Sequence, residues 1–329
     1  MKNLTILIFS GPRFGIKNLL SDIAKLDQSN MDIAVVEWAE DQKILNEKEK
    51  IYFSFKKKIN NLKIYYQKGK TYQAKYEKFI NNFNTKYILN IGDDDRINII
   101  SFEKILKYLN FNFSGITLSS KNLNNKNEPQ HKDHKYSDTI RLFDIHDDLH
   151  QIGYISTQII KTDLIKQVFQ EERKNFRISW YPHNFIILKI IKKFGNWHIS
   201  NLKSIESNVG NMEKEGSIFT FTNKDEKFLL RLESEYIGYL TPLANNYSNL
   251  SRSKINNIYI KLFFRNIISW LFLSLKYHGK KKTFERIKEI RNIIKEPFTV
   301  KISLFLFNIF PIFLLDFLRI LRKKIINRT

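Results

Sequence analysis

Short runs of β-branched and apolar residues, each closed by a turn and followed by helical spacing, most constrain how this chain can fold. Leu4–Phe9 ends at Ser10-Gly11-Pro12 and leads into Phe14–Leu26, where Ile16, Leu19, Leu20, Ile23 and Leu26 share one helical face. Asp32–Trp38 and Leu62–Tyr66 read as a second and a third strand, and Lys68-Gly69-Lys70 closes the latter. Tyr72–Phe83 reads as a helix, Lys86–Ile91 as a fourth strand, Ile99–Leu109 as a helix and Gly115–Ser119 as a further strand. The alternation predicts an α/β fold, a Rossmann-like, mostly parallel sheet with helices on both faces. In such sheets ligands bind beyond the carboxyl ends of the strands. Two features fall there: Glu37 to Asp41 after the second strand, and Asp93-Asp94-Asp95 after the fourth.

The rest of the chain is less regular. Ser120–Asp138 is polar and aperiodic and reads as a loop or insert. Arg141–Leu149 reads as a strand running into a short helix, and Tyr154–Ile160 as a strand. Thr162-Asp163 can cap a helix over Leu164–Gln170, and Tyr181–Phe194 is an apolar helix entered through Pro182. Ser200–Val209 reads as a strand or loop, Asn208–Gly216 as a flexible segment, and the pattern is helical from Lys224 onward. The expected organisation is a domain over 1–225, with a nucleotide-side half at 1–110 and an acceptor-side half at 111–225. A helical, amphipathic and basic region over 226–329 follows.

Charge bears on partners. The 329 residues carry a net charge of +22, and 43% are hydrophobic, so a mostly disordered chain is excluded. Cysteine is absent, which excludes a disulfide framework and any thiolate site. Residues 251–329 hold 18 Lys and Arg against 4 Asp and Glu, more than half of the whole excess. Two apolar runs lie in this quarter, Ile258–Leu275 and Ile302–Leu318. Lys261 and Arg265 interrupt the first, and Asn308, Pro311 and Asp316 the second, so neither gives the roughly 20 apolar residues of a membrane span. Apolar runs bordered by basic clusters suit helices lying on an anionic membrane surface; the plainer alternative is helices packed on the main domain with their lysines solvated. Nucleic acid is not expected as a partner, because the aromatics stand in aliphatic runs and not singly between basic residues. The run after Lys2 is too short for a signal peptide, so the expected location is cytoplasmic, peripheral on the inner membrane face.

Three successive carboxylates after a buried strand repel one another and are tolerated in solvent or around a cation. One reading is an acidic turn at the start of the following helix, favoured by the helix dipole. The other is a site for Mg²⁺ or Mn²⁺, which take a few carboxylate oxygens and complete their shell with water and phosphate. Position at a strand end favours the second. In Phe143–Gln151 (FDIHDDLHQ), His146 and His150 would share a helical face, but a polar surface segment is the plainer reading. No P-loop, H-E-x-x-H or G-x-S-x-G pattern occurs.

The stretch KYILNIGDDDRI (Lys86–Ile97) resembles the acidic-motif segment of the family 2 glycosyltransferases, which have a GT-A fold. TILIFSGPR (Thr5–Arg13) is similar to their first strand and turn, and Gly69 falls where they carry a glycine. GYISTQIIKTDLI (Gly153–Ile165) and WYPH (Trp180–His183) resemble the acceptor-side segments of O-antigen-type bacterial members. The likeness spans about residues 3–210. It implies metal-assisted, inverting transfer of a sugar from a nucleotide-diphosphate donor to a hydroxyl of a lipid-linked or lipopolysaccharide-type glycan acceptor. By position it implies Mn²⁺ or Mg²⁺ on Asp93 and Asp95, with Ser10, Arg13, Glu37, Lys70, Asp93 and Asp94 around the nucleotide. The family's acidic pair after the acceptor strand is replaced here by Ile178–His183, which leaves His183, Asp147 and Asp148 as candidates for the catalytic base. That replacement also admits an alternative: a non-catalytic protein that keeps the fold and only binds a nucleotide sugar or serves as a membrane-docked assembly subunit.

Overall fold

The computed structural model describes residues 2–12, 14–67, 76, 79–122, 134–136, 154–178, 182–207 and 267–294. The chain divides into two compact units, Met1–Ile178 with Pro182–Thr220, and Ser179–Tyr181 with Phe221–Thr329.

The first unit is built on β1 (Leu4–Ser10), β2 (Met31–Glu37), β3 (Leu62–Tyr66) and β4 (Tyr87–Gly92), with the spatial order β3-β2-β1-β4 and all pairs parallel. β1, β2 and β4 are buried on both faces, where Leu4, Ile6, Ile8, Ile33, Val35, Leu89 and Ile91 have no exposed surface, while the edge strand β3 is partly exposed. Helices α1 (Ile16–Ile23), α2 (Gln42–Lys56) and α3 (Ile99–Tyr108) pack their apolar stripes into the same core, through Leu19 and Leu20, Tyr52 and Phe55, and Phe102 and Ile105. The chain leaves β1 toward β2 on one side and returns on the other to β4. The strand order therefore reverses between β1 and β4, and the crevice beyond those two ends is where such a sheet takes a ligand.

Beyond β4 the sheet is mixed. The strand β8 (Gln158–Lys161) pairs antiparallel with β4 and with β6 (Gly115–Asn122). The long β9 (Trp197–Ser207) runs parallel to β6 and takes β5 (Arg96–Ile97) and β7 (His134–Tyr136) antiparallel. The parallel expectation thus fits the β1–β4 half, while the second half has both senses. Two expectations are corrected. Part of the polar stretch read as a loop is strand: β6 runs on to Asn122, and His134–Tyr136 is drawn in as β7 by the ladder of β9, a tertiary pairing that three residues cannot announce. The helix expected to end at Gln170 is α4 (Thr162–Ile178). Its polar continuation faces the next helix, α5 (Pro182–Phe194), where Glu171 pairs with Lys193 at 2.8 Å and Glu172 with Lys189 at 3.2 Å.

In the second unit the described helix is α6 (Ile267–Ile294), interrupted at Gly279, whose φ of 74° lies in the left-handed region. Among the described residues no helix is long and apolar enough to cross a membrane. The expected helix at 72–83 lies half outside the described residues, with a single helical turn at Ile80–Asn82, and the expected helix at 302–318 and the segments at 141–149 and 208–216 lie outside them.

The helix α2 starts on a cap that can be tested. Asp41 accepts hydrogen bonds from the backbone N–H of Lys43 at 2.7 Å and of Ile44 at 3.3 Å. Asp41→Ala is expected to lower stability by about 1 kcal/mol, read from the urea midpoint at unchanged m-value.

Candidate functional site

The ends of β1, β2 and β4 meet around one lysine. Lys48, on the inner face of α2, has no exposed surface. Its ammonium donates to Ser10 Oγ at 2.7 Å, to the Gly11 carbonyl and to Glu37 Oε2 at 3.0 Å, and lies 3.8 Å from Asp93 Oδ2. One turn further along α2, the Tyr52 hydroxyl donates to Glu37 Oε2 and lies 3.3 Å from Ser10 Oγ. Burial first, and the Glu37 charge second, push this hydroxyl far above the ordinary tyrosine range, so it stays a donor. The other oxygen of Glu37 accepts from the backbone N–H of Trp38 at 3.0 Å and of Ala39 at 2.8 Å. Both Glu37 oxygens are thus engaged by the protein.

The three aspartates part company. Asp93, with no exposed surface, turns inward: its Oδ2 accepts from Ser10 Oγ at 3.1 Å and from the Gly11 N–H at 3.0 Å. Asp95, 4% exposed, accepts from the Tyr154 hydroxyl and from Ser156 Oγ, one on each oxygen. Ser156 also accepts from the Gly92 N–H at 3.0 Å, so the turn before β8 holds both ends of the acidic loop. Burial and then the Asp95 charge raise the Tyr154 hydroxyl well above its usual range, so it too stays a donor. Asp94 is half-buried.

Two close approaches shape the mouth. A Cβ on Gly15 would stand 2.7 Å from the Asp93 carbonyl oxygen, so the turn after β1 lies directly against the acidic loop. A Cβ on Gly92 would stand 2.9 Å from Asp94 Oδ1 and 3.2 Å from Asp95 Oδ2. Asp94 Oδ1 and Asp95 Oδ2 therefore both pack against the Gly92 backbone, and any side chain at 92 would crowd them. Behind the loop, Arg96 donates from Nε and Nη2 to Asp22 of α1 at 2.5 and 2.8 Å, fixing the start of β5.

Of the expected site residues, the structure gathers Ser10, Glu37, Asp93, Asp94 and Asp95. His183 lies elsewhere in the sequence order, at the start of α5, and is 5% exposed. Arg13, Lys70, Asp147 and Asp148 lie outside the described residues. Lys48, Tyr52, Tyr154 and Ser156 are additions that sequence reading missed. A single cue pointed to the first two, the Asp41 cap opening a helix on which Leu45, Lys48, Tyr52 and Phe55 share the buried face.

No protein-family model matches the sequence, and no curated protein matches it. Solved structures do match. The 1–349 fragment of S. aureus TarS in complex with UDP superposes with a TM-score of 0.56 at 15% identity, covering 89% of this chain and 80% of that one. The same fragment with UDP-GlcNAc gives 0.54 at 16% identity, over 89% and 90%. The Pyrobaculum calidifontis mannosyltransferase PcManGT, in complex with GDP-Man and Mn²⁺, gives 0.55 at 8% identity, over 93% and 87%. The chain has a GT-A fold. At these identities the likeness is one of architecture, and in a GT-A fold the β1–β4 crevice described above is the reversal point of the sheet.

A divalent cation can be tested against the residues of this crevice. Among the described residues no three His, Asp or Glu side chains converge as a closed metal cage. Asp94 Oδ1 and Asp95 Oδ2 both lie beside Gly92, and each carboxylate oxygen has two lone pairs, so accepting one hydrogen bond leaves a lone pair for a cation. Two carboxylates completed by phosphate and water suit Mg²⁺ or Mn²⁺. Asp93 Oδ2 is held inside by Ser10, Gly11 and Lys48.

Removing the Tyr52 hydroxyl takes one charge-assisted hydrogen bond from buried Glu37. Tyr52→Phe is expected to destabilise by about 1.5–3 kcal/mol in denaturant unfolding.

Proposed function

We propose that this protein is a metal-dependent inverting glycosyltransferase that moves a sugar from a nucleotide-diphosphate donor to a hydroxyl of a lipid-linked or lipopolysaccharide-type surface glycan. The observation that carries the reading is the acidic loop Asp93–Asp95 at the β1–β4 reversal of a GT-A sheet, with Asp94 Oδ1 and Asp95 Oδ2 side by side against Gly92. In the reaction the acceptor oxygen bonds to the anomeric carbon as the bond from that carbon to the diphosphate oxygen breaks. The acceptor proton passes to the base, and the nucleoside diphosphate leaves with added negative charge. A divalent cation, when bound, neutralises that charge. Asp94 and Asp95 would hold it. Tyr154 and Ser156 orient Asp95, and the loop after β1, seated against the Asp93 and Asp94 backbone through Gly15, borders the diphosphate. Glu37 keeps its four hydrogen bonds and shapes the 38–39 backbone near the base, with Arg13 and Lys70 as further nucleotide contacts.

The base is one of His183, Asp147 and Asp148. Single substitution identifies it as the residue whose loss lowers kcat while the donor KM holds.

The basic C-terminal region supports peripheral attachment to an anionic membrane surface. On α6 the buried stretch Phe272–Leu275 is followed by exposed Lys276 and Lys280–Lys282. Attachment would hold the catalytic unit near a membrane-borne acceptor and raise its effective concentration.

Two measurements check this. With Mn²⁺ and a panel of nucleotide sugars, the wild type is expected to transfer one of them, and Asp95→Ala or Asp94→Asn to lose at least about 100-fold in kcat/KM. Equal activity in the variants, or with the metal chelated, contradicts the metal role. Nucleotide-sugar binding without turnover on any acceptor would support the binding-only alternative. In sedimentation with vesicles, the full chain is expected to pellet with anionic lipid and not with neutral lipid. Equal pelleting with both contradicts the electrostatic attachment.

A further inference from the structure

We infer that Lys48 is the positioning residue of the acidic motif: it clamps Asp93 and the turn after β1 inward, and so fixes the loop that carries Asp94 and Asp95. The inference rests on the nucleotide-sugar reading for its functional consequence, though the clamp itself is a statement about this chain alone.

Each observation bears on one link. The ammonium has no exposed surface and reaches four groups, Ser10 Oγ, the Gly11 carbonyl, Glu37 Oε2 and Asp93 Oδ2. Those groups belong to the ends of three parallel strands that border the reversal point. They are brought together by one residue on the buried face of α2. Three adjacent carboxylates repel, and an internal cation next to the first of them gives that one a lower-energy place inside than beside its neighbours. Once Asp93 takes Ser10 Oγ and the Gly11 N–H, the backbone of 93–94 is drawn against Gly15, and the loop after β1 cannot move independently of the acidic loop. Asp94 and Asp95 then follow on a loop held at its first residue, with Asp94 Oδ1 and Asp95 Oδ2 packed beside Gly92.

The cluster holds one cation and two anions. Lys48→Met alone strands two carboxylates in the interior and is expected to lose the fold. The decisive variant is therefore Lys48→Met with Glu37→Gln. It removes one positive and one negative charge together and keeps the net charge of the cluster as it was. Cooperative thermal unfolding is expected to persist in this double variant. Amide hydrogen exchange in segments 9–15 and 91–97 is expected to quicken at least about tenfold, while Glu37→Gln alone leaves these segments as in the parent. Calorimetric affinity for UDP or GDP with Mn²⁺ is expected to fall at least about tenfold in the double variant. Unchanged exchange in both segments overturns the clamp, and so does quickening of equal size in Glu37→Gln alone. The exchange arm uses no ligand. If the parent bound neither nucleotide, the glycosyltransferase reading would fall, and the clamp would still be decided by exchange.

Discussion

A single ammonium group without access to water governs the arrangement at the strand ends. Lys48 sits between Glu37 and Asp93, and the Ser10 hydroxyl and the Gly11 carbonyl accept its other hydrogen bonds. Burying such charges is costly, and the cost is met only where geometry and extra hydrogen bonds satisfy every group. Here Glu37 receives four hydrogen bonds, and Asp93 receives two beside the lysine. A cluster so fully satisfied has few alternative arrangements, which suits loops that must present carboxylates in fixed positions.

The consequence is a motif with an inner and an outer face. Asp93 belongs to the interior and ties β4 to β1. Asp95 is held by Tyr154 and Ser156 from the turn before β8, and Asp94 lies half-buried beside it. The parallel half and the mixed half of the sheet therefore each grip the acidic loop from one side. The Arg96–Asp22 pair anchors it from behind on α1. The proposed cation site would draw on few protein ligands, so the placement of those carboxylates would carry its selectivity.

Much of the parallel half is legible in the sequence, because β1, β2 and β4 are continuous apolar runs closed by turn residues, and their expected bounds differ from the observed ones by a single residue. The acidic loop is legible for the same reason: it follows a strand with no other use for three charges. Helix α2 is the instructive omission. Its buried face reads Leu45, Lys48, Tyr52 and Phe55, and hydropathy assigns a lysine to the surface. The residue that organises the site thus hides the helix that carries it. Tyr154 and Ser156 read as strand residues and in fact precede β8 in a short 3-10 turn; only the long-range pairing of β4 with β8 brings them to Asp95. The inward turn of Asp93 was equally beyond sequence reading, since three identical side chains in a row carry no sign of which one the interior claims.

The most direct test is a crystal structure of the full chain with UDP or GDP and Mn²⁺. The account predicts that Asp94 and Asp95 hold the metal, with Asp93 still bonded to Ser10 and Gly11 beside Lys48. A metal coordinated by Asp93, or a nucleotide seated away from the 92–95 loop, would contradict it.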